Sequence, residues 1–194
     1  MKIPSVRRPK GFTLVELLVV ISIIAVLASA GFAAGNAAIL KARKVTCLAT
    51  ATSIESAVNN FYTEYGSMPK DGDSETPIKT DTDTNFLKAL LGLEGTGSSV
   101  LNTRAIKFLS VREGKAKKNG LIYNTNGTNV EGLFDPWGGP FNVVLDMNYD
   151  EKITVTPKGG GGTTLNGRRV AVWSDGVDYK DKNKATDDVK TWGL

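Results

Sequence analysis

Apolar residues form one dense block near the start of the chain and then thin into a periodic stripe. Between Phe12 and Leu40 the only charge is Glu16, and the next is Lys41. Beyond it Cys47, Leu48, Ala51, Ile54, Val58, Phe61, Tyr62 and Tyr65 recur at steps of about three and four, with Lys44, Thr50, Ser53, Glu55 and Asn59 between them. That is the stripe of an amphipathic helix. No strong breaker divides the two parts, so the pattern predicts one helix from about Thr13 to Tyr65, roughly 80 Å long at 1.5 Å per residue. Gly66 and Pro69 supply its stop. Gly31 and Gly35 form a small-xxx-small spacing that permits close approach of another helix.

The rest of the chain alternates loops with short elements. Residues 70–83 are rich in Asp, Ser, Thr and Lys and read as a surface loop. Asn85–Leu91 reads as a short helix ended by Gly92, and Ala105–Val111 as a strand. Arg112–Asn119 reads as a basic turn, either a solvated face or a patch for a partner. Phe141–Asp146 and Lys152–Thr156 flank a turn at Met147–Glu151 and predict a hairpin. Gly159–Gly162 reads as a flexible loop, and Arg168–Trp173 as the last strand. The predicted class is α+β: a long helix whose apolar stripe covers one face of a small antiparallel sheet.

Charge changes this picture only at the N-terminus. The 194 residues carry 24 Lys and Arg against 20 Asp and Glu. Lys2, Arg7, Arg8 and Lys10 fall in the first ten positions, and without them the balance is neutral. The basic pI is therefore a targeting feature, and no basic stripe remains for nucleic acid. Histidine is absent, which removes the commonest general base and zinc ligand. The single cysteine, Cys47, can form no intrachain disulfide and reads as a small apolar helix residue.

The charge-free run is long enough to cross a bilayer, which takes roughly 20 residues, and the basic leader would keep its start in the cytoplasm. An ordinary signal would be cut after the apolar core, where Ala28, Ser29 and Ala30 could serve. Arg7–Arg8 raises twin-arginine export, but Pro9 and Lys10 follow where an apolar residue is usual. A carboxylate within this helix costs roughly 2.5–3.5 kcal/mol on insertion scales for an Asp. A helix that assembles with its own copies can offset that cost if a cation on a neighbour meets Glu16; a Glu that snorkels to the interface is the plainer reading.

The string KGFTLVELLVVISIIAVLA (Lys10–Ala28) resembles the N-terminal signal of type IV prepilins and of type II secretion pseudopilins. The resemblance implies cleavage between Gly11 and Phe12, N-methylation of Phe12 by prepilin peptidase, and pairing of Glu16 with the Phe12 amine of another subunit. It implies a leader at 1–11, a membrane and filament-core helix at 12–40, an amphipathic half at 41–66 and a globular domain at 67–194. Many pilins have a proline where this chain has Ala33, so Gly31 and Gly35 are the expected cause of any kink. The implied setting is a single-pass inner-membrane precursor with its C-terminal domain in the periplasm. Its implied partners are further copies, other pilin-like subunits, an inner-membrane assembly platform and lipid, with no nucleic acid.

Two further strings carry the resemblance. FYTEYGSMP resembles the end of this helix in pseudopilins. Asp135-Pro136-Trp137-Gly138-Gly139-Pro140-Phe141, with the last strand and the acidic loop after it, resembles the major pseudopilins of type II secretion. In those proteins the last loop binds calcium, which here points to Asp178 and Asp187, with Asp188 as an alternate and Ser174 and Gly176 shaping the loop. Lys180, Lys182, Lys184 and Lys190 are a departure from that pattern, and a solvated loop of surface ion pairs is the competing expectation. The missing cysteine pair disfavours an adhesive pilus.

Asp146–Asp150 opens like an EF-hand, but Glu151 and Pro157 stand where Gly and Glu are required, so an Asx-rich turn is expected. Asn126-Gly127-Thr128 matches a glycosylation sequon, a pattern short enough to occur by chance. No GxSxG, P-loop or histidine constellation is present, so an enzyme is not expected. A monomeric anchored binding domain and a secreted enzyme remain as readings of other classes.

Overall fold

In a computed structural model the protein is described over residues 11–124, 126–127, 129–157, 161–179 and 188–193. Helix α1 runs from Leu14 to Tyr65, 52 residues, unbroken through Gly31 and Gly35. Strand β1 (Ile78–Lys79), helix α2 (Thr84–Leu91), β2 (Gly120–Tyr123), β3 (Val130–Phe134), β4 (Phe141–Leu145), β5 (Lys152–Val155), β6 (Thr163–Asn166), β7 (Val170–Ser174) and β8 (Val189–Lys190) follow. A short 3-10 turn, Gly176–Asp178, separates β7 from β8. The chain divides into two compact units, residues 1–42 and 43–194, and each is taken separately.

In the first unit, the apolar side chains of α1 point outward all round, including Leu14, Leu18, Ile21, Leu27 and Phe32. Among the described residues no helix is long and apolar enough to cross a membrane. The fully described apolar stretch runs from Leu14 to Ser29, ~24 Å at 1.5 Å per residue, short of the ~30 Å hydrocarbon core.

The second unit is built around the expected stripe. Cys47, Ala51, Ile54, Val58 and Phe61 are wholly buried, in one cluster with Phe141, Val143, Leu145, Val170 and Val172. Phe61 packs its ring 4.7 Å from Tyr65 and 5.3 Å from Phe108. The helix ends as expected, with Gly66 in the left-handed region at φ 67° and its amide donating to the Tyr62 carbonyl at 2.8 Å. The sheet order is β1-β4-β7-β8, all antiparallel. All five residues of β4 and of β7 are buried, so this sheet is covered on both faces.

Alternation assigns those faces. Val143↔Val172 and Leu145↔Val170 pair on the helix side. Val144 and Ala171 point the other way, into a second cluster with Ile153, Val155 and Trp173. The cover there is the β5–β6 hairpin, so the expected single helical cover is half of the solution. The expected hairpin between Phe141–Asp146 and Lys152–Thr156 is also corrected. β4 pairs with β1 and β7, and β5 with β6. The turn between them turns out of the sheet, with Tyr149 and Glu151 at φ 60° and 58°. Asp146 accepts the amides of Asp150 (3.2 Å) and Glu151 (2.9 Å), which is the expected Asx-rich turn in a different setting.

Ala105–Val111 forms no strand. Ala105 sits at φ 50°, and the amides of Phe108 and Leu109 both donate to the Leu90 carbonyl at 2.9 Å. The segment thus caps the end of α2. Asn102 holds the same loop, its Nδ2 donating to the carbonyls of Ala89 and Ile106 at 2.7 Å while its Oδ1 accepts from Tyr65 Oη at 2.7 Å.

Because Phe61 is enclosed between helix, loop and sheet, Phe61→Ala should cost about 3–5 kcal/mol. Urea unfolding followed by circular dichroism checks this, and a loss below ~1 kcal/mol would contradict the packing described.

Candidate functional site

The start of α1 is a reciprocal cap. Glu16 N donates to Thr13 Oγ1 at 3.2 Å, while Thr13 N and Thr13 Oγ1 donate to Glu16 Oε2 at 2.9 and 2.8 Å. This is a capping box, which satisfies two of the amides that a helix start leaves without partners. The Thr-x-x-Glu spacing of this cap is legible in the sequence, three residues apart at the start of the apolar run. Both bonds to the carboxylate use Oε2, which leaves Oε1 able to accept from another group. Phe12 and Gly11 lie one and two residues before Thr13, and Phe12 is exposed.

The second centre is buried in the second unit. Asp135 is fully enclosed. Its Oδ1 accepts the amides of Trp137, Gly138 and Gly139 at 2.8, 2.7 and 2.8 Å. Its Oδ2 accepts the Ser174 hydroxyl at 2.5 Å, and Ser174 Oγ in turn accepts the Gly176 amide at 3.0 Å. One carboxylate therefore ties the DPWGG loop to the end of β7. Gly139 is required by space: a Cβ there would lie 2.9 Å from the Tyr179 Cβ and 3.1 Å from Asp135 Oδ2. The two C-terminal strings singled out in the sequence meet at this point.

Burial raises the Asp135 carboxyl above its ordinary range, against the lowering effect of the Ser174 hydroxyl and the three loop amides. Cys47 faces the same centre from α1. Burial pushes its thiol up to about 12; the Ser174 hydroxyl lowers it and the nearby Asp135 charge raises it. Such a thiol is a core group rather than a nucleophile. The arrangement holds a carboxylate, a hydroxyl and a thiol, but its work is to join three elements.

The loop expected to bind calcium lies partly outside the described residues. Asp178 ends the 3-10 turn. Asp187 lies outside the described residues. Asp188 has its side chain enclosed, 3.6 Å from Lys190 Nζ. Among the described residues no group of three or more potential ligands could hold a metal ion. Ser174 and Gly176 do shape the start of the loop, through the bonds to Asp135 and to each other and through Gly176 at φ 71°.

The described residues thus give an apolar helix with a capped start, followed by a small sheet packed on its second part. Residues 6–32 match the prokaryotic N-terminal methylation motif. The chain is 29% identical over 128 residues to prepilin peptidase-dependent protein D of Escherichia coli (strain K12), covering 64% of this chain and 86% of that protein. It is 27% identical over 121 residues to type IV major pilin protein PilE of Neisseria gonorrhoeae, covering 62% of this chain and 59% of that protein. No solved structure matches significantly. In this motif and in these relatives the chain is similar to type IV pilin-like proteins.

Removing the Asp135 carboxylate leaves the Trp137 and Gly139 amides and the Ser174 hydroxyl without this acceptor, while the Gly138 amide keeps only the Asp135 carbonyl at 3.2 Å, so Asp135→Ala should cost about 3 kcal/mol or more. The raised carboxyl also fixes a pH dependence. The folded chain holds this proton more tightly than the unfolded one. The resulting stability is full below the unfolded value of ~3.9 and is lost as pH rises through the folded value. Asp135→Asn cannot titrate, so the stability difference between wild type and this variant should shift in favour of wild type as pH falls from ~7 to ~4. Thermal melts at several pH values check this, and parallel pH profiles for the two chains would contradict it.

Proposed function

We propose that this chain is a structural subunit of a periplasmic filament of the pseudopilus type, serving protein secretion. In this reading it is inserted in the inner membrane by its N-terminal helix, with the C-terminal domain in the periplasm. It is cut between Gly11 and Phe12, methylated on Phe12 by prepilin peptidase, and drawn by an inner-membrane platform into a polymer with copies of itself and other pilin-like subunits. The observation that carries the reading is a helix whose apolar side chains are exposed all round, within the matched methylation motif. Such a surface requires lipid or other helices around it. In the sequence the charge-free run continues from Leu17 to Leu40, enough to span a bilayer with some tilt. The role is structural rather than catalytic.

Glu16 is the assembly residue. Its capping bonds offset part of the cost of a carboxylate at that depth, and Oε1, which the cap does not use, would accept from the Phe12 amine of a neighbouring subunit in this reading. Glu16→Leu should abolish filaments while leaving membrane insertion intact. Sheared-filament yield and membrane fractionation read the two effects separately. Filaments at the wild-type level in this variant would overturn the pairing.

The secretion role is favoured by the junction of the DPWGG loop with β7, and by the presence of a single cysteine. A type IV pilus subunit is the second reading, favoured by the similarity to a type IV major pilin. A strain lacking the chain separates them: loss of an exported protein supports secretion, and loss of surface pili supports the second reading. Calcium at Asp178 and Asp187, with Asp188 as alternate, predicts that chelation lowers the melting temperature and that Asp178→Ala removes the effect. An unchanged melting curve favours the solvated loop.

A further inference from the structure

The turn at Arg112–Asn119 is a rigid, strained display of positive charge. Lys115 and Lys118 exchange two backbone hydrogen bonds of 3.1 Å, closing a two-residue turn. Its central residues, Ala116 and Lys117, lie at φ 52° and 55°, and Asn119 follows at 62°. A turn of this hand favours Asn-Gly, and side chains such as Ala and Lys cost about 1–2 kcal/mol each there. The backbone around it compels the conformation: a Cβ on Gly114 would lie 2.4 Å from the Lys118 carbonyl oxygen. Arg112, Lys115, Lys117 and Lys118 are exposed, with Glu113 as the only carboxylate in the segment. None of the three lysines forms an ion pair among the described residues.

An opposite patch lies across the same ribbon. Residues 112–114 flank β2, with Leu121 N donating to the Arg112 carbonyl at 2.9 Å and Gly114 N to the Leu121 carbonyl at 2.8 Å. β2 pairs with β3 at Leu121↔Leu133. On the far side Leu133 N donates to the Thr80 carbonyl at 3.0 Å, and Thr80 Oγ1 to the Leu133 carbonyl at 2.6 Å. The margins of this ribbon are thus three strand spacings apart, about 14 Å. Thr80 belongs to the segment that carries Asp71, Asp73, Glu75, Asp81 and Asp83 against Lys70 and Lys79. Asp71 and Asp73 are exposed. One oxygen each of Glu75 and Asp81 is enclosed with no donor among the described residues, and the segment's five carboxylates outnumber its two lysines.

Two patches of opposite sign on opposite margins do not neutralise each other within one chain, and they are not self-complementary about a two-fold axis. They match when one copy is placed beside the next in the same sense. Such a heterologous contact propagates into an open filament. We propose that the basic turn 112–119 of one copy docks on the acidic segment 71–83 of the next, as a second, electrostatic contact in the polymer besides the helix. This inference rests on the filament reading. It also identifies what the strained turn does: lysines held in place lose less freedom on docking, and like charges brought face to face reject a wrong neighbour.

The test uses the full-length chain in cells that make the filament, with sheared-filament yield as the readout. The triple reversal Lys115→Glu, Lys117→Glu, Lys118→Glu should lower the yield by about tenfold or more. The reversal Asp71→Lys, Asp73→Lys should do the same. Combining all five substitutions in one chain restores opposite signs at the two margins and should restore filaments, and so should co-expression of the two singly reversed chains. Melting curves like the wild type's show that the variants fold; milder Lys→Gln variants, expected to give intermediate yields, replace any that do not. Full yields from the singly reversed chains, or no rescue in the combined chain, would overturn the contact. The Glu16→Leu chain separates the two claims: it should fail to polymerise with either charge arrangement, whereas absence of wild-type filaments would remove the filament reading together with this contact.

Discussion

Cys47, Ala51, Ile54, Val58 and Phe61 occupy one stripe of α1 and are wholly buried, and the rest of the second unit is arranged around them. Each fully buried aliphatic or aromatic side chain contributes about 1.5–3 kcal/mol relative to exposure, so this stripe is a large gain for the unit. It fixes which residues of β4 and β7 face inward, because a shift of one position would exchange Val143 and Leu145 for Asn142 and Val144. The same shift would remove Val144 and Ala171 from the cluster that the β5–β6 hairpin closes. Helix and hairpin together pin the register of the sheet from both faces.

Asp135 acts on this frame as a polar counterpart. Three backbone amides and one hydroxyl converge on it, and the Cys47 thiol lies close enough to feel its charge. A buried carboxylate is costly, and here it is offset by bonds from three amides of the loop between β3 and β4 and from the Ser174 hydroxyl at the end of β7. The loop is thereby joined to the end of β7 beside the stripe on α1. At the other end of the helix, Glu16 works in the same way on a smaller scale: a carboxylate satisfied by a hydroxyl and an amide three residues earlier.

What the sequence disclosed follows from how local the determining physics is. The helix from 14 to 65, its glycine stop and the short helix ended by Gly92 depend on periodicity and left-handed glycine, both readable within a few residues. Strand partners do not. Phe141–Asp146 and Lys152–Thr156 lie in the order of a hairpin, yet the pairing was decided by distant segments, β1 and β7. Ala105–Val111 has the alternation of a strand, but its amides are used by Leu90. The Asp135 bonds to the amides of residues 137–139 are local, but its junction with β7 was invisible because it depends on Ser174, 39 positions away. The Thr13–Glu16 cap, by contrast, was fully local and needed only to be read as a helix start. The basic turn could be seen, but not its strain or the acidic segment set across the ribbon from it.

The central claim is that the chain is a precursor processed at the boundary between its basic leader and its apolar helix. Intact mass and N-terminal sequencing of the protein from membranes containing prepilin peptidase test it most directly. A chain beginning at N-methyl-Phe12 is the expected result. A chain beginning near Gly31, or one that still carries Met1, would contradict it.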